Sequence, residues 1–124
     1  MEMNKTVLIV DDHLIMRKRL EMDLKAKWFN VLEAKNWIEA VEIVTRRAVD
    51  LILMDINFDW SDENGIGITK KIRQILALNP ERVTKIICIS TDVDNWSNEI
   101  FDWFCSKPLK TTDFNTIRST LNNQ

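Results

Sequence analysis

Glycine, proline and cysteine are scarce in this sequence, with two of each in 124 residues, and there is no tyrosine and a single histidine. So little glycine and proline excludes collagen-like and low-complexity chains. The glycines, Gly65 and Gly67, complete neither GxGxxG nor GxxxxGK, which removes the loops that cradle nucleotide phosphates in dinucleotide-binding and P-loop proteins. Cys88 and Cys105 lie inside apolar runs, without CxxC spacing or a secreted framework. They read as buried apolar residues of a reduced, cytoplasmic chain. There is no basic excess either. Lys and Arg number 17 against 19 Asp and Glu, the net charge is −2 and the pI is near 5.4, which argues against nucleic-acid binding. No apolar run approaches the roughly 18 residues of a membrane helix, and Met1–Lys5 lacks a signal-peptide pattern. The expectation is a cytoplasmic chain that does not enter a membrane.

What remains is globular composition, 45% hydrophobic and 29% charged, in a length suited to one domain, residues 1–124. A chain of this size buries roughly two thirds of the surface it exposes when unfolded, so it needs no disulfide or structural metal.

Three short, fully apolar runs punctuate the chain: Val7-Leu8-Ile9-Val10, Leu51-Ile52-Leu53-Met54 and Ile86-Ile87-Cys88-Ile89. Such runs, rich in β-branched residues, predict strands buried on both faces. Residues 29–34 and 100–105 are two further strand candidates. Between them lie helical stripes. Met16, Leu20, Leu24 and Trp28 form the first, and Trp37, Ile38, Val41 and Val44 or Ile43 the second. Ile68, Ile72, Ile75 and Leu76 form a third, ended by Asn79-Pro80. Phe114, Ile117 and Leu121 form a last one, with Thr112 as its cap. Residues 56–65 read as a loop, and Lys70, Lys71 and Arg73 as the wet face of the third helix. Alternating strand and helix specifies an α/β fold, a five-stranded parallel sheet with helices on both faces.

Polar residues collect where the strands end. Asp11 and Asp12 end the first run, Asp55 the third strand, Ser90 the fourth and Lys107 the fifth. Open α/β sheets bind ligands outside the carboxyl ends of their strands. Three carboxylates there repel one another, raise at least one pKa and favour a shared cation. Oxygen ligands suit Mg²⁺. Lys107 supplies a second positive charge and Ser90 a hydrogen bond for an incoming phosphoryl group, which one carboxylate attacks in line.

These segments, Val7 to His13, Leu51 to Asn57, Ile89-Ser90-Thr91 and Ser106-Lys107-Pro108, together resemble a response-regulator receiver domain of two-component signalling across nearly the whole chain. The resemblance implies a flavodoxin-like, doubly wound sheet. It implies Asp55 as phosphoacceptor and Asp11, Asp12, Asp55 and the Asn57 carbonyl as Mg²⁺ ligands. Lys107 is implied as the catalytic lysine, preceding a cis bond to Pro108, with Ser90 and Phe104 as the switch pair. It further implies a histidine kinase or phosphotransfer protein as phosphoryl donor, a downstream protein target of unspecified kind, and a monomer or weak dimer without an output domain. Such a protein catalyses its own phosphorylation and dephosphorylation and is not a turnover enzyme. Asn57 and Asp92 resemble pairings of short-lived members.

The chain departs from the family pattern in two places. Phe58-Asp59 replaces the usual Met-Pro, Gly65 arrives late, and the acidic loop carries Trp60. The spacing from Ser90 to Lys107 is short, so the fourth helix there is reduced to a turn or two around residues 95–100. Thr91 stands where a small residue is usual. A degenerate receiver-fold docking module, acting independently of phosphorylation, is therefore the alternative.

Plainer readings compete at several residues. Asp11-Asp12 alone is also a helix N-cap pair, and His13 reads as an exposed first-turn residue. The run from Asp55 to Glu63 is similar to a Ca²⁺ loop, but Trp60 and Ile66 stand where the EF-hand needs Gly and Glu. Asp55-Ile56-Asn57 is similar to the nucleophile motif of haloacid-dehalogenase-type phosphatases, but the second acid is missing. Of the five tryptophans, Trp28 and Trp37 are expected in the core, and Trp60, Trp96 and Trp103 around the active edge and the altered fourth helix.

Overall fold

The computed structural model describes residues 4–55, 65–90, 100–107 and 109–122, the side chains of residues 65, 66 and 122 excepted. In chain order the elements are β1 (Thr6–Val10), α1 (Leu14–Lys25), β2 (Asn30–Ala34), α2 (Trp37–Arg46), β3 (Leu51–Asp55), α3 (Gly65–Leu76), β4 (Lys85–Ser90), β5 (Trp103–Ser106) and α4 (Thr111–Asn122). All strand pairs are parallel, in the order β2-β1-β3-β4-β5. The order reverses between β1 and β3, which opens a crevice at their carboxyl ends.

Alternation along the apolar strands divides the core in two. Leu8, Val10, Ile52, Met54, Ile86 and Cys88 pack with Ala40 and Val44 of α2 and Ile68 and Ile72 of α3. Val7, Ile9, Leu51, Leu53, Ile87 and Ile89 pack with Leu20 and Leu24 of α1 and Phe114, Ile117 and Leu121 of α4. With both faces covered, β3 is buried at every residue, which is why its sequence reads as one apolar run ending in an acid. Each aliphatic side chain sealed in this way contributes about 1.5–3 kcal/mol of burial.

The starts of α1, α2 and α4 are capped by side chains. His13 Nδ1 accepts a hydrogen bond from Met16 N at 3.4 Å, and Asn36 Oδ1 accepts from Glu39 N at 2.8 Å. At the start of α4, Asp113 Oδ2 accepts from Lys110 N at 2.8 Å. The expected cap, Thr112, instead lies within the helix, because that Asp113 contact begins the helix at Thr111, two residues earlier than a Thr112 cap requires.

Other expectations are corrected by tertiary contacts. Trp28 does not extend the α1 stripe into the core. It is 75% exposed, with φ 70°, because Trp28 N donates to Lys25 O and Phe29 N to Leu24 O. That is a Schellman turn, which ends the helix and rotates the next side chain outward. Phe29 takes the buried place instead. Ile38 is exposed, and Ala40 fills the α2 stripe. Trp37 is half-buried, with Lys71 Nζ 4.7 Å from its ring centroid. Strand β5 begins at Trp103 because Asp102 precedes it as a brace. Asp102 N donates to Ile86 O, and Ile86 N donates to Asp102 Oδ2. Trp103 is exposed at the amino end of this edge strand, away from the carboxyl rim.

The loop at residues 56–64, the shortened helix expected near 95–100, and the expectations placed on Asn57, Trp60, Thr91, Asp92, Trp96 and the Lys107–Pro108 bond lie outside the described residues, Ile100 itself excepted. No helix among the described residues is long and apolar enough to cross a membrane.

Candidate functional site

The site stands at the carboxyl ends of β1, β3, β4 and β5. Pairing of Val10 with Met54, and of Asp55 with Ile89, brings the next residues of three central strands to one rim. Pairing of Ser90 with Ser106 delivers Lys107 to the same end, and Lys107 N donates to Ser90 O at 3.0 Å.

The acids converge as the strand ends require. Asp11, Asp12 and Asp55 each present a ligand oxygen, all within 4.8 Å of one another. Asp11 and Asp55 are buried and Asp12 is exposed, so the cluster opens to solvent on the Asp12 side. Lys107 Nζ lies 2.9 Å from Asp55 Oδ1 and 4.0 Å from Asp11 Oδ2.

Asp11 records the strain of this crowding. Burial, chiefly, together with the Asp55 charge, raises its carboxyl from 3.8 to about 6, against the opposing pull of the His13 N–H and Lys107. Its Oδ1 accepts from His13 N at 2.8 Å. An acid made reluctant to ionise chiefly by burial, and further by a second acid, is relieved by a hard divalent cation on the shared oxygens. The donor set therefore fits Mg²⁺.

Ser90 is buried at the end of β4, one residue beyond the partner of Asp55. Phe104 is half-buried opposite Cys88, its ring 5.8 Å from that of Phe101 and inclined at 63°. His13 is the exposed cap of α1, in keeping with its plain reading, and it displaces the acids from the N-cap position. Burial pushes both thiols, Cys88 and Cys105, up to about 12, which leaves them unreactive. Of the site residues expected from sequence, Asp11, Asp12, Asp55 and Lys107 are brought together, Ser90 stands at the same rim, and Phe104 sits three residues before the lysine.

Two arginines escaped the sequence reading. Arg17 is buried, and its Nη1 donates to the Asp11 carbonyl at 2.9 Å. Its signal was a cation three residues before Leu20 on a stripe that is otherwise apolar. Arg73 is not on the wet face of α3. It donates twice to the Ile100 carbonyl, at 2.9 and 2.7 Å, and to Asp102 Oδ2 at 2.9 Å. Its backbone partners leave no mark in a side-chain pattern.

Comparison with known proteins agrees with this fold. Residues 7–113 match the response regulator receiver domain. The autoinducer 1 sensor kinase/phosphatase LuxN of Vibrio campbellii is 34% identical over 122 residues, covering 95% of this chain and 13% of LuxN. The chain thus spans about an eighth of that relative's length. A CheY-like receiver domain from Methylobacillus flagellatus superposes with a TM-score of 0.83 at 21% identity, covering 95% of this chain and 98% of that one. The response regulator TrrA from Thermotoga maritima, in complex with Mg²⁺ and BeF, superposes with a TM-score of 0.77 at 22% identity, covering 94% and 98%. With the sheet order, the clustered acids and the family match in agreement, the chain belongs to the response regulator receiver domain family.

Proposed function

We propose that residues 1–124 act as one receiver unit that accepts a phosphoryl group on Asp55 and thereby switches a protein-binding surface. The observation that carries this reading is the buried Asp55 carboxylate, 2.9 Å from Lys107 Nζ and sharing a space 4.8 Å across with the oxygens of Asp11 and Asp12. In the forward step an Asp55 oxygen bonds to phosphorus as the P–N bond of a donor phosphohistidine breaks, and the departing imidazole nitrogen takes a proton from solvent. Lys107 neutralises charge on the transferring group, and Ser90 donates a hydrogen bond to one of its oxygens. Mg²⁺ would be held by Asp11, Asp12, Asp55 and the Asn57 carbonyl, and when bound it offsets phosphoryl charge. In the reverse step a water oxygen attacks phosphorus, the P–O bond to Asp55 breaks, and inorganic phosphate leaves with the carboxylate restored.

The acylphosphate draws Ser90 toward it and Phe104 follows, which alters the outer surface of β4 and β5. LuxN is a sensor kinase/phosphatase and RcsC of Salmonella typhimurium, 32% identical over 69 residues, is a sensor histidine kinase. Those relatives favour a histidine kinase or phosphotransfer protein as donor.

The test is labelling with acetyl phosphate, with tryptophan emission followed through Mg²⁺ and then beryllofluoride titration. We expect saturable Mg²⁺ dependence, and loss of labelling in Asp55→Asn and of the metal response in Asp12→Ala. No labelling and no response at millimolar Mg²⁺ would overturn the reading in favour of a phosphorylation-independent docking module.

A further inference from the structure

Asp11 is gripped from three sides. Its N–H donates to the Ala34 carbonyl of β2 at 3.1 Å. Its carbonyl accepts from Arg17 Nη1 at 2.9 Å in a buried contact. Its Oδ1 accepts from His13 N at 2.8 Å, which leaves Oδ2 as the oxygen facing Lys107, 4.0 Å away. The arginine is held in turn. Its Nε lies 3.1 Å from Glu33 Oε1 on β2, and Glu33 Oε2 lies 2.9 Å from Lys18 Nζ. Arg17 therefore ties the turn between β1 and α1 to β2, the strand on the far side of β1 from Asp55.

A guanidinium suits this task. It is planar, permanently charged, and can present one N–H to Glu33 and another to a carbonyl in fixed relative directions. The turn it secures carries Asp11 and Asp12 out of the strand.

Resting on the phosphoryl-acceptor reading above, we propose that Arg17 is a positioning residue of the metal and phosphoryl site, oriented by Glu33, which holds the Asp11–Asp12 turn against the repulsion of Asp55. It touches neither metal nor phosphoryl group. It acts by keeping the two acids converged before a cation arrives, so its loss weakens cation affinity more than the rate at saturating cation.

The experiment titrates the ¹⁵N-labelled full chain with Mg²⁺ and reads the dissociation constant from the amide shifts of the β1–α1 turn. It compares wild type with Arg17→Gln, Arg17→Lys, Glu33→Gln and the Arg17→Gln/Glu33→Gln double variant. Acetyl-phosphate labelling at saturating Mg²⁺ and thermal unfolding in chelator run beside it. Arg17→Gln is expected to weaken Mg²⁺ affinity about tenfold while labelling at saturation stays within about threefold, and Arg17→Lys to recover part of the affinity. The double variant is expected to bind no worse than Arg17→Gln alone, because Glu33 acts through Arg17. Should Arg17→Gln fail to fold, Arg17→Lys and Glu33→Gln carry the same comparison. A lowered melting temperature with unchanged Mg²⁺ affinity would mean a purely structural arginine and overturn the proposal. Absence of Mg²⁺ binding by the wild type would instead overturn the phosphoryl-acceptor reading, and this inference with it.

Discussion

The ammonium of Lys107 sits 2.9 Å from Asp55 Oδ1 and 4.0 Å from Asp11 Oδ2, so one cation serves two buried acids from the end of an edge strand. The lysine is 14% exposed and Asp55 is 4% exposed at its side chain. Neither charge has water enough to stand alone.

Replacing Lys107 with Met leaves both acids without that partner. Removing one member of a buried ion pair costs about 3 kcal/mol or more, so Lys107→Met is expected to lower the urea midpoint at pH 7 substantially. The loss should shrink in the Lys107→Met/Asp55→Asn double variant. Acetyl-phosphate labelling of Lys107→Met should fall at least tenfold.

The Asp11 carboxyl makes the metal-free protein less stable as pH rises. Its folded value, about 6, lies above its ordinary 3.8. Between these values the unfolded chain has released the proton and the folded chain still holds it. Stability from this group is therefore complete below about pH 4 and lost as pH climbs through 6. Urea unfolding in chelator should show that decline, and Asp11→Asn should abolish it and gain on the order of 3 kcal/mol at pH 7.

Relieving the same crowding from its exposed member, Asp12→Ala should raise the melting temperature in chelator and remove stabilisation by millimolar Mg²⁺. A clear loss of metal-free stability would count against repulsion among the three acids.

Arg73 pins the carbonyl of Ile100 and the carboxylate of Asp102 to α3, and Asp102 in turn braces the start of β5 against Ile86. Arg73→Met should cost about 2 kcal/mol by chemical denaturation, since it strips partners from half-buried polar groups. Amide exchange should quicken first in β5.

Trp28 occupies, at φ 70° and 75% exposure, a turn position that suits glycine. Trp28→Gly should stabilise the chain by about 1 kcal/mol, because the left-handed strain outweighs the little packing that is lost. A destabilised variant would show that the ring contributes more packing than its exposure indicates.

Much of the architecture was legible in side-chain period. Uninterrupted apolar runs marked the central strands β1, β3 and β4 because both of their faces are covered. The stripes that include Leu20 and Leu24, Ile68 and Ile72, and Phe114, Ile117 and Leu121 marked helices because one face of each is buried. Boundaries failed where backbone hydrogen bonds decide them. The Schellman turn after α1 has no glycine to announce it, and the start of β5 is set by Asp102 reaching Ile86, sixteen residues earlier in the chain.

The amino-acid order alone determined which residues end the strands, and hence that Asp11, Asp12, Asp55, Ser90 and Lys107 would meet at one rim once the strands lie parallel. Period and spacing report only the face a residue shares with its near neighbours. Which acid the lysine approaches most closely, which carboxyl is raised by burial, and how Arg17 and Arg73 are engaged were decided by tertiary structure. Those outcomes depend on ångström-scale approach between strands brought together by folding, and on carbonyl groups that every residue carries alike.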